Sequence, residues 1–371
     1  MKKKAFLYQR LYDDIRRNIE QGAFSAGQLL PSERELGEAY GVDRTTVRRA
    51  LQMLSDDHLV SKLPGKGTIV AMPNGSTAQE SPASSMGVRL PDNQMRTVGF
   101  FIPQNKKVAD KIMFPTYTSL LYLTEQECSE RNIRLIYSAL DEQKELDDYL
   151  STMRFDGIIF LSTIADKHLA RALELGIPSV LLNNHRPEII SICTDNLEGG
   201  ACVARYLLDQ GHRDIMLLAG NRASINCRER IQGFCDELTV HGLSCYGVVF
   251  GGSSWTFEAG YEETKRALSE LPAPPTALFA CGDRLALGAL KAFQEAGLEV
   301  PRDVSIVGYD NSEQAQYANP KLTSVDTNLK ALSATAMRAL QGIFNDPTLA
   351  TYPLKVMVPP TLVEHDSVLA R

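Results

Sequence analysis

The sequence predicts two folds in series. An N-terminal α+β head reads as a winged helix-turn-helix, and an α/β body reads as two lobes with parallel sheets. Three observations predict it. Residues 31–70, PSERELGEAYGVDRTTVRRALQMLSDDHLVSKLPGKGTIV, read as two short helices, a tight turn and a hairpin. Residues 74–95 are rich in Pro, Gly, Ser, Asn and Gln, keep no apolar period and read as a flexible linker. From residue 96 onward short apolar strands alternate with amphipathic helices in two consecutive runs.

Each element of the head has a local cause. A first helix over residues 8–21 places Leu11, Tyr12, Ile15 and Ile19 on one face. Ser32 and Glu35 form a capping box, in which hydroxyl and carboxylate each accept the other's backbone N–H. Gly41 ends that helix, where a left-handed residue costs little without a Cβ, and Asp43 caps the next. In the second of the pair, Val47, Ala50, Leu51 and Leu54 recur at i, i+3, i+4 and i+7 and share a buried face. Thr45, Arg48, Arg49 and Gln52 face away from it, with Arg44 at the first helical position. Arg pairs bidentately with guanine, Gln with adenine, and Thr reaches a phosphate or a thymine methyl, so this face suits a DNA major groove. A merely solvated surface helix is the plainer reading, but it does not account for the turn and the hairpin. The hairpin tip Pro64-Gly65-Lys66-Gly67 supplies charge and a backbone that comes close to a phosphate.

Composition bounds the classes. At 371 residues the chain holds two or three domains with ample cores. No apolar run approaches a membrane span, and MKKKAFLYQR leads into a charged helix without the apolar stretch of a signal peptide, so a cytoplasmic location is expected. The seven cysteines are scattered without a C-x-x-C pair and read as small buried hydrophobes, neither disulfides nor metal ligands. No metal-ligand spacing, Gly-rich phosphate loop or G-x-S-x-G elbow is seen, so no catalytic residue, metal or cofactor is expected and the chain is not read as an enzyme. Net charge is −6; residues 1–72 carry twelve basic against nine acidic side chains, a balance of +3, which leaves −9 on the remainder. A mildly basic head on an acidic body suits a DNA reader whose body avoids DNA.

In the body, strands are expected at 98–102, 133–137, 157–161 and 179–182, with helices at 117–131, 142–153 and 166–175. A second run places helices at 197–210, 228–241, 258–270 and 284–296, and strands at 215–218, 247–250, 277–280 and 304–309. A last helix, 329–344, and a strand, 355–358, finish the second lobe or the crossovers. Parallel sheets bind ligands beyond the carboxyl ends of their strands. The residues there are Asn183 and Asn184, Arg228 and Arg230, Trp255, Asp283 and Asp310. Carboxylate, amide and guanidinium hydrogen-bond a polyol, and the single tryptophan covers the apolar face of a sugar ring. Singly, each has a dull reading: Asp310 a turn residue, Asp283 a helix cap, Trp255 a core filler.

Two resemblances sharpen this. Residues 4–72 resemble a GntR-type winged helix-turn-helix through YQRLYDDIRRNI, LPSERELGEAYGV, RTTVRRAL and GKGT, in order and at the right spacing. The resemblance implies a DNA-binding domain over 5–73, with the helix-turn-helix at 32–51. Its DNA contacts fall on Arg34, Arg44, Thr45, Thr46, Arg48, Lys66 and Gly67. Residues 96–371 resemble a LacI/GalR-type effector domain, similar to periplasmic sugar-binding proteins. The matching stretches are TDNLEGGACVARYLLDQGHRDIMLLAG, RERIQGF, ALFACGDRLALGALKAFQEAGLEVPRDVSIVGYDN and NPKLTSVD. That resemblance implies an effector-binding and dimerisation domain with contacts at Asn183, Arg230, Trp255, Asp283 and Asp310, and Tyr117 near the first-lobe aromatic position. Two positions depart from it: Gly282 precedes Asp283 where the family often has Asn, and His365 stands where Arg is usual. Together they imply a homodimeric repressor of a carbohydrate-utilisation operon, bound to double-stranded operator DNA and released by a sugar. A purine or nucleoside effector is the runner-up. A solute-binding transport protein is the reading of another class, opposed by the DNA reader fused in front.

Overall fold

The computed structural model describes residues 2–20, 24, 28–57, 59–63, 67–70, 95–104, 115–243, 249–252, 254–352 and 354–371. Head and body are separate compact units. The expected linker lies, Met95 apart, outside the described residues.

In the head, α1 (Lys2–Glu20) packs across α3 (Arg44–Asp56), with α2 (Glu33–Tyr40) beside it. The core holds Leu11, Tyr12, Ile15, Leu36, Val47, Ala50, Leu51 and Leu54. The Ser32–Glu35 capping box forms, Gly41 is left-handed at φ 60°, and Asp43 caps α3. β1 (Val60–Leu63) pairs antiparallel with β2 (Gly67–Val70), so the hairpin is present, while its tip at 64–66 lies outside the described residues. Val60 and Val70 dip into the helical core and fix the hairpin against it.

The body has two six-stranded sheets. The first lobe uses β3 (Arg96–Gln104), β4 (Ile133–Asp141), β5 (Gly157–Leu161), β6 (Ser179–Leu182), β7 (Ser191–Thr194) and β13 (Lys355–Val358), in the order β13-β7-β6-β5-β3-β4, all parallel. Its two faces follow the period of two. Phe100, Ile159 and Leu161 face α4 (Pro115–Glu130) and α12 (Leu329–Asn345). Phe101, Ile158 and Phe160 face α5 (Leu146–Leu150) and α6 (Asp166–Glu174).

The second lobe uses β8 (Ile215–Ala219), β9 (Val249–Gly251), β10 (Ala277–Ala280), β11 (Ser305–Tyr309), β12 (Thr323–Asp326) and β14 (Thr361–Val363), in the order β14-β12-β11-β10-β8-β9. Only β14 runs antiparallel to its neighbour. One face packs on α7 (Asn196–Asp209) and α8 (Ile225–Val240), through Leu217, Phe279, Val307 and Tyr309. The other packs on α9 (Phe257–Glu270) and α10 (Asp283–Glu295), through Met216, Leu218, Leu278 and Ile306. A short α11 (Glu313–Gln316) follows β11.

The chain passes between lobes at 194–196, 326–329 and 358–361. The passes are tied together: Thr194 Oγ1 donates to Thr327 O at 3.1 Å, and Asp195 N to Val358 O at 2.9 Å. The final helix and β13 therefore return to the first lobe. Four expectations change. The helix expected at 142–153 shrinks to α5, because the chain stays extended to Asp141 and then turns. β7, β12 and β14 are short strands without a period of their own. Helix α8 starts at Ile225, earlier than 228. Cys235 is disulfide-bonded, against the reading of all seven cysteines as thiols; Cys128, Cys193, Cys227 and Cys281 are buried free thiols.

Candidate nucleic-acid interface and ligand cleft

On α3 the apolar face is buried as expected, and Arg44, Thr45, Arg48, Arg49 and Gln52 are exposed. Thr46 differs. Its hydroxyl and its N–H both donate to Asp43 Oδ1, at 2.9 and 2.8 Å, and the residue is buried. Its side chain thus closes the cap and is not presented to a groove. Arg49 leans on α1, its guanidinium carbon 4.4 Å from the centroid of the Tyr8 ring. Arg34 sits in α2, but its side chain lies outside the described residues, as does Lys66; Gly67 opens β2.

In the body a cleft of about 360 Å³ opens between the carboxyl ends of the two sheets. Tyr117, Asn183, Arg230, Trp255, Asp283 and Asp310 line it, and so does Asn184. Four non-glycine residues with positive φ stand at strand ends around it: Ser162, Asn183, Asp310 and Asn311. Such backbone is sparsely populated and persists where surrounding structure enforces it, as at ligand sites.

From the first lobe, the Tyr117 hydroxyl meets Ser162 Oγ at 2.8 Å, and burial pushes that phenol up from its ordinary pKa. Asn183 spans the lobes: Asn226 of α8 donates to its Oδ1 at 3.0 Å and to its carbonyl at 3.3 Å. On the second-lobe side Arg230 is buried. It donates from Nε to Asn196 Oδ1 at 2.9 Å and from Nη1 to Cys281 O at 2.6 Å. Its guanidinium carbon lies 3.6 Å from the Tyr309 ring centroid, and Nη1 stands 3.5 Å from Asp310 Oδ1.

The Asp283 carboxylate accepts from Ser312 N and Ser324 Oγ, each at 2.6 Å. Burial, then the charge of Asp310, lifts its pKa to about 7. Burial lifts Asp310 to about 6 against the opposing pull of Arg230. Trp255 lies against Gly220 and Gly282. A Cβ on Gly220 would stand 2.2 Å from the indole, so glycine is required for the ring to reach this depth.

Arg228 is the exception among the expected cleft residues. It is exposed, and its Nη1 donates to the carbonyls of Arg222 and Ala223 at 3.0 and 2.9 Å, holding the loop before α8. Two residues apart on a helix, Arg228 and Arg230 point to nearly opposite sides, so only one reaches the cleft. Sequence reasoning also missed Ser162, Asn196 and Asn226; Asn226 was open to inference, because it shares the Arg230 face four residues earlier.

Among the described residues no three His, Cys, Asp or Glu side chains could hold a metal, and no helix is long and apolar enough to cross a membrane.

Comparison with known proteins agrees with this architecture. Residues 7–70 match the bacterial regulatory proteins of the gntR family, and residues 204–368 match the periplasmic binding protein-like domain. The HTH-type transcriptional repressor PurR of Yersinia enterocolitica is 31% identical over 263 residues, 68% of this chain and 76% of that protein. The HTH-type transcriptional regulator CelR of Thermobifida fusca is 27% identical over 82% of this chain and 94% of its own length. Among solved structures, a CelR–cellobiose complex superposes with a TM-score of 0.64 at 24% identity, covering 91% of this chain and all of that one. The lac repressor dimer bound to operator and an anti-inducer gives 0.64 at 24%, covering 75% and 96%. The class is a transcriptional regulator with a ligand-sensing body, not an enzyme. The chain belongs to the LacI/GalR-type regulators, here joined to a gntR-family head.

Proposed function

We propose that this regulator represses a carbohydrate-utilisation operon from the cytoplasm as a homodimer, and that an uncharged sugar bound in the body cleft releases it from operator DNA. The observation that carries the effector class is the charge economy of the cleft floor. Its buried cation, Arg230, is already matched by Asp310, Asn196 and a carbonyl, while Asp283 adds a second carboxyl supported only by neutral donors. A phosphate or carboxylate on that floor would face two carboxyls, and the cleft wall adds one charge of each sign, Arg284 and Glu142, whereas sugar hydroxyls donate to carboxylates and accept from amides. Trp255 offers the apolar face of the sugar a surface, and the cleft volume lies at the small end of ligand pockets, which span about 300–1,000 Å³.

The head reads DNA with α3 in the major groove: Arg44, Thr45 and Arg48 contact the operator, Arg34 and the Lys66-Gly67 tip support it, and each subunit takes one half-site. A ligand that favours one lobe arrangement shifts that population and with it the spacing of the heads.

A thermal-shift screen of the full chain against neutral monosaccharides and disaccharides, uronates, sugar phosphates and purines tests the effector, because a ligand of the native state raises the melting point. A shift confined to neutral sugars is expected; one confined to purines or to sugar phosphates overturns the sugar reading. Arg48→Ala should weaken operator binding without changing that shift. Labelled operator released on adding the hit fixes the sign.

A further inference from the structure

We infer that Arg49 anchors the DNA backbone and does not read bases: it is a phosphate contact whose guanidinium is positioned by Tyr8 of α1. The inference rests on the DNA-binding reading above and changes the role that composition alone gives to this arginine.

The argument starts from helix geometry. Successive residues are about 100° apart around an α-helix. The buried face of α3 is Val47, Ala50, Leu51 and Leu54. Opposite lie Thr45, Gln52 and Arg49, all exposed. Arg44 and Arg48, four residues apart, share one flank of that outward face. Arg49 lies on the other side of the outward line from them, and its side chain is drawn back towards α1. There its guanidinium stacks on the Tyr8 ring at 4.4 Å, and Tyr8 is itself half-buried against the head's core.

A guanidinium over a ring uses its face for the contact and keeps its edge N–H groups for the fork that suits an anionic oxygen pair. A helix inserted in a groove meets base edges along its outward line and sugar-phosphate along its flanks, and the backbone contacts set register without carrying sequence. A side chain held back against the neighbouring helix cannot extend to the groove floor. Arg49 is therefore placed for a phosphate on the α1 side of the groove, with Tyr8 as a positioning residue.

The test measures the salt dependence of DNA binding by the full-length protein, on operator and on a scrambled duplex. A phosphate contact contributes about −0.9 to the slope of log K against log salt. Arg49→Ala should reduce the slope by about one and weaken both duplexes by roughly tenfold near 0.1 M salt, leaving their affinity ratio unchanged. Arg49→Lys should keep the slope. Tyr8→Leu should weaken both duplexes a few-fold with the slope retained, and Tyr8→Phe should restore wild-type affinity, since the ring suffices. A fall in the operator-to-scrambled ratio for Arg49→Ala makes it a base reader and overturns the inference. An unchanged slope makes the stack purely structural and overturns it equally. Unaltered protein that binds neither duplex overturns the DNA-binding reading itself, which neither variant result would do.

Discussion

Arg230 and Asp310 come from different elements, helix α8 and the end of strand β11, and stand 3.5 Å apart at the cleft floor. Asp310 holds a positive φ of 106° to be there, and Arg230 is fixed from three other directions by Asn196, the Cys281 carbonyl and the Tyr309 ring. The pair joins the helix that faces the first lobe to the strand end that faces the cleft.

Removing one partner of such a pair leaves the other without compensation, at a cost of about 3–5 kcal/mol when fully buried. Asp310 is partly exposed to the cleft, so Arg230→Met should fall at or below the low end of that range. The expected result is a body melting point lowered by several degrees and no ligand-induced shift. Arg230→Lys should not recover the response, because an ammonium lacks the fork that reaches Asn196 and Cys281 together. A lysine variant with normal ligand response would show that charge alone is needed.

Asp283 predicts a pH signature. Its folded-state pKa is raised to about 7, by burial first and the charge of Asp310 second, whereas the unfolded carboxyl titrates near 3.8. The native state thus holds the proton more tightly. The contribution to stability is complete below the unfolded value and is lost as pH rises towards 7. Asp283→Asn cannot ionise, so the melting-point difference, variant minus wild type, should grow more positive between pH 4 and 7 and level off above. A difference that stays flat over that interval contradicts the buried-acid assignment.

How much of this was legible is clearest on α8. The stretch RERIQGF marks the helix and points to Arg230, but it points equally to Arg228, because both follow a strand end. Helical phase decides between them, and phase needs the true start, Ile225, which no cap residue with a side-chain bond announces. The caps of α2 and α3, by contrast, were written in Ser32, Glu35, Gly41 and Asp43, because capping is local chemistry. β7 was invisible for the opposite reason. Four residues, Ser191–Thr194, are a strand because β6 on one side and β13, far along the chain, on the other pair with them. Thr46 looked like a groove contact until the cap claimed its hydroxyl.

Trp255 gives a direct optical handle, being the single tryptophan of the chain. Ligand binding should change its emission. Gly220→Ala would place a Cβ 2.2 Å from the indole and push the ring out of the floor. Ligand affinity should drop by about tenfold or more, on the order of 1.4 kcal/mol, with operator binding in the absence of ligand unchanged. Retained affinity in Gly220→Ala would exclude the ring as a ligand surface.

Asn226, Glu229 and Arg230 share one face of α8, since i, i+3 and i+4 positions are neighbours on a helix. That face touches the first lobe twice: Asn226 bonds Asn183, and the Glu229 carboxylate meets Lys355 Nζ of β13 at 3.2 Å. A ligand that pulls on Arg230 therefore strains or relieves a cross-lobe ion pair one residue away. The pair is partly exposed, so its direct worth is within about 1 kcal/mol. Its effect should appear mainly in coupling. Glu229→Gln and Lys355→Met should each shift ligand affinity about two- to fivefold in the same direction, and the double variant should match either single one. Emission titrations of Trp255 in all four proteins measure this. If the two single effects simply add in the double variant, Glu229 and Lys355 act independently and the ion pair does not link ligand to lobe angle.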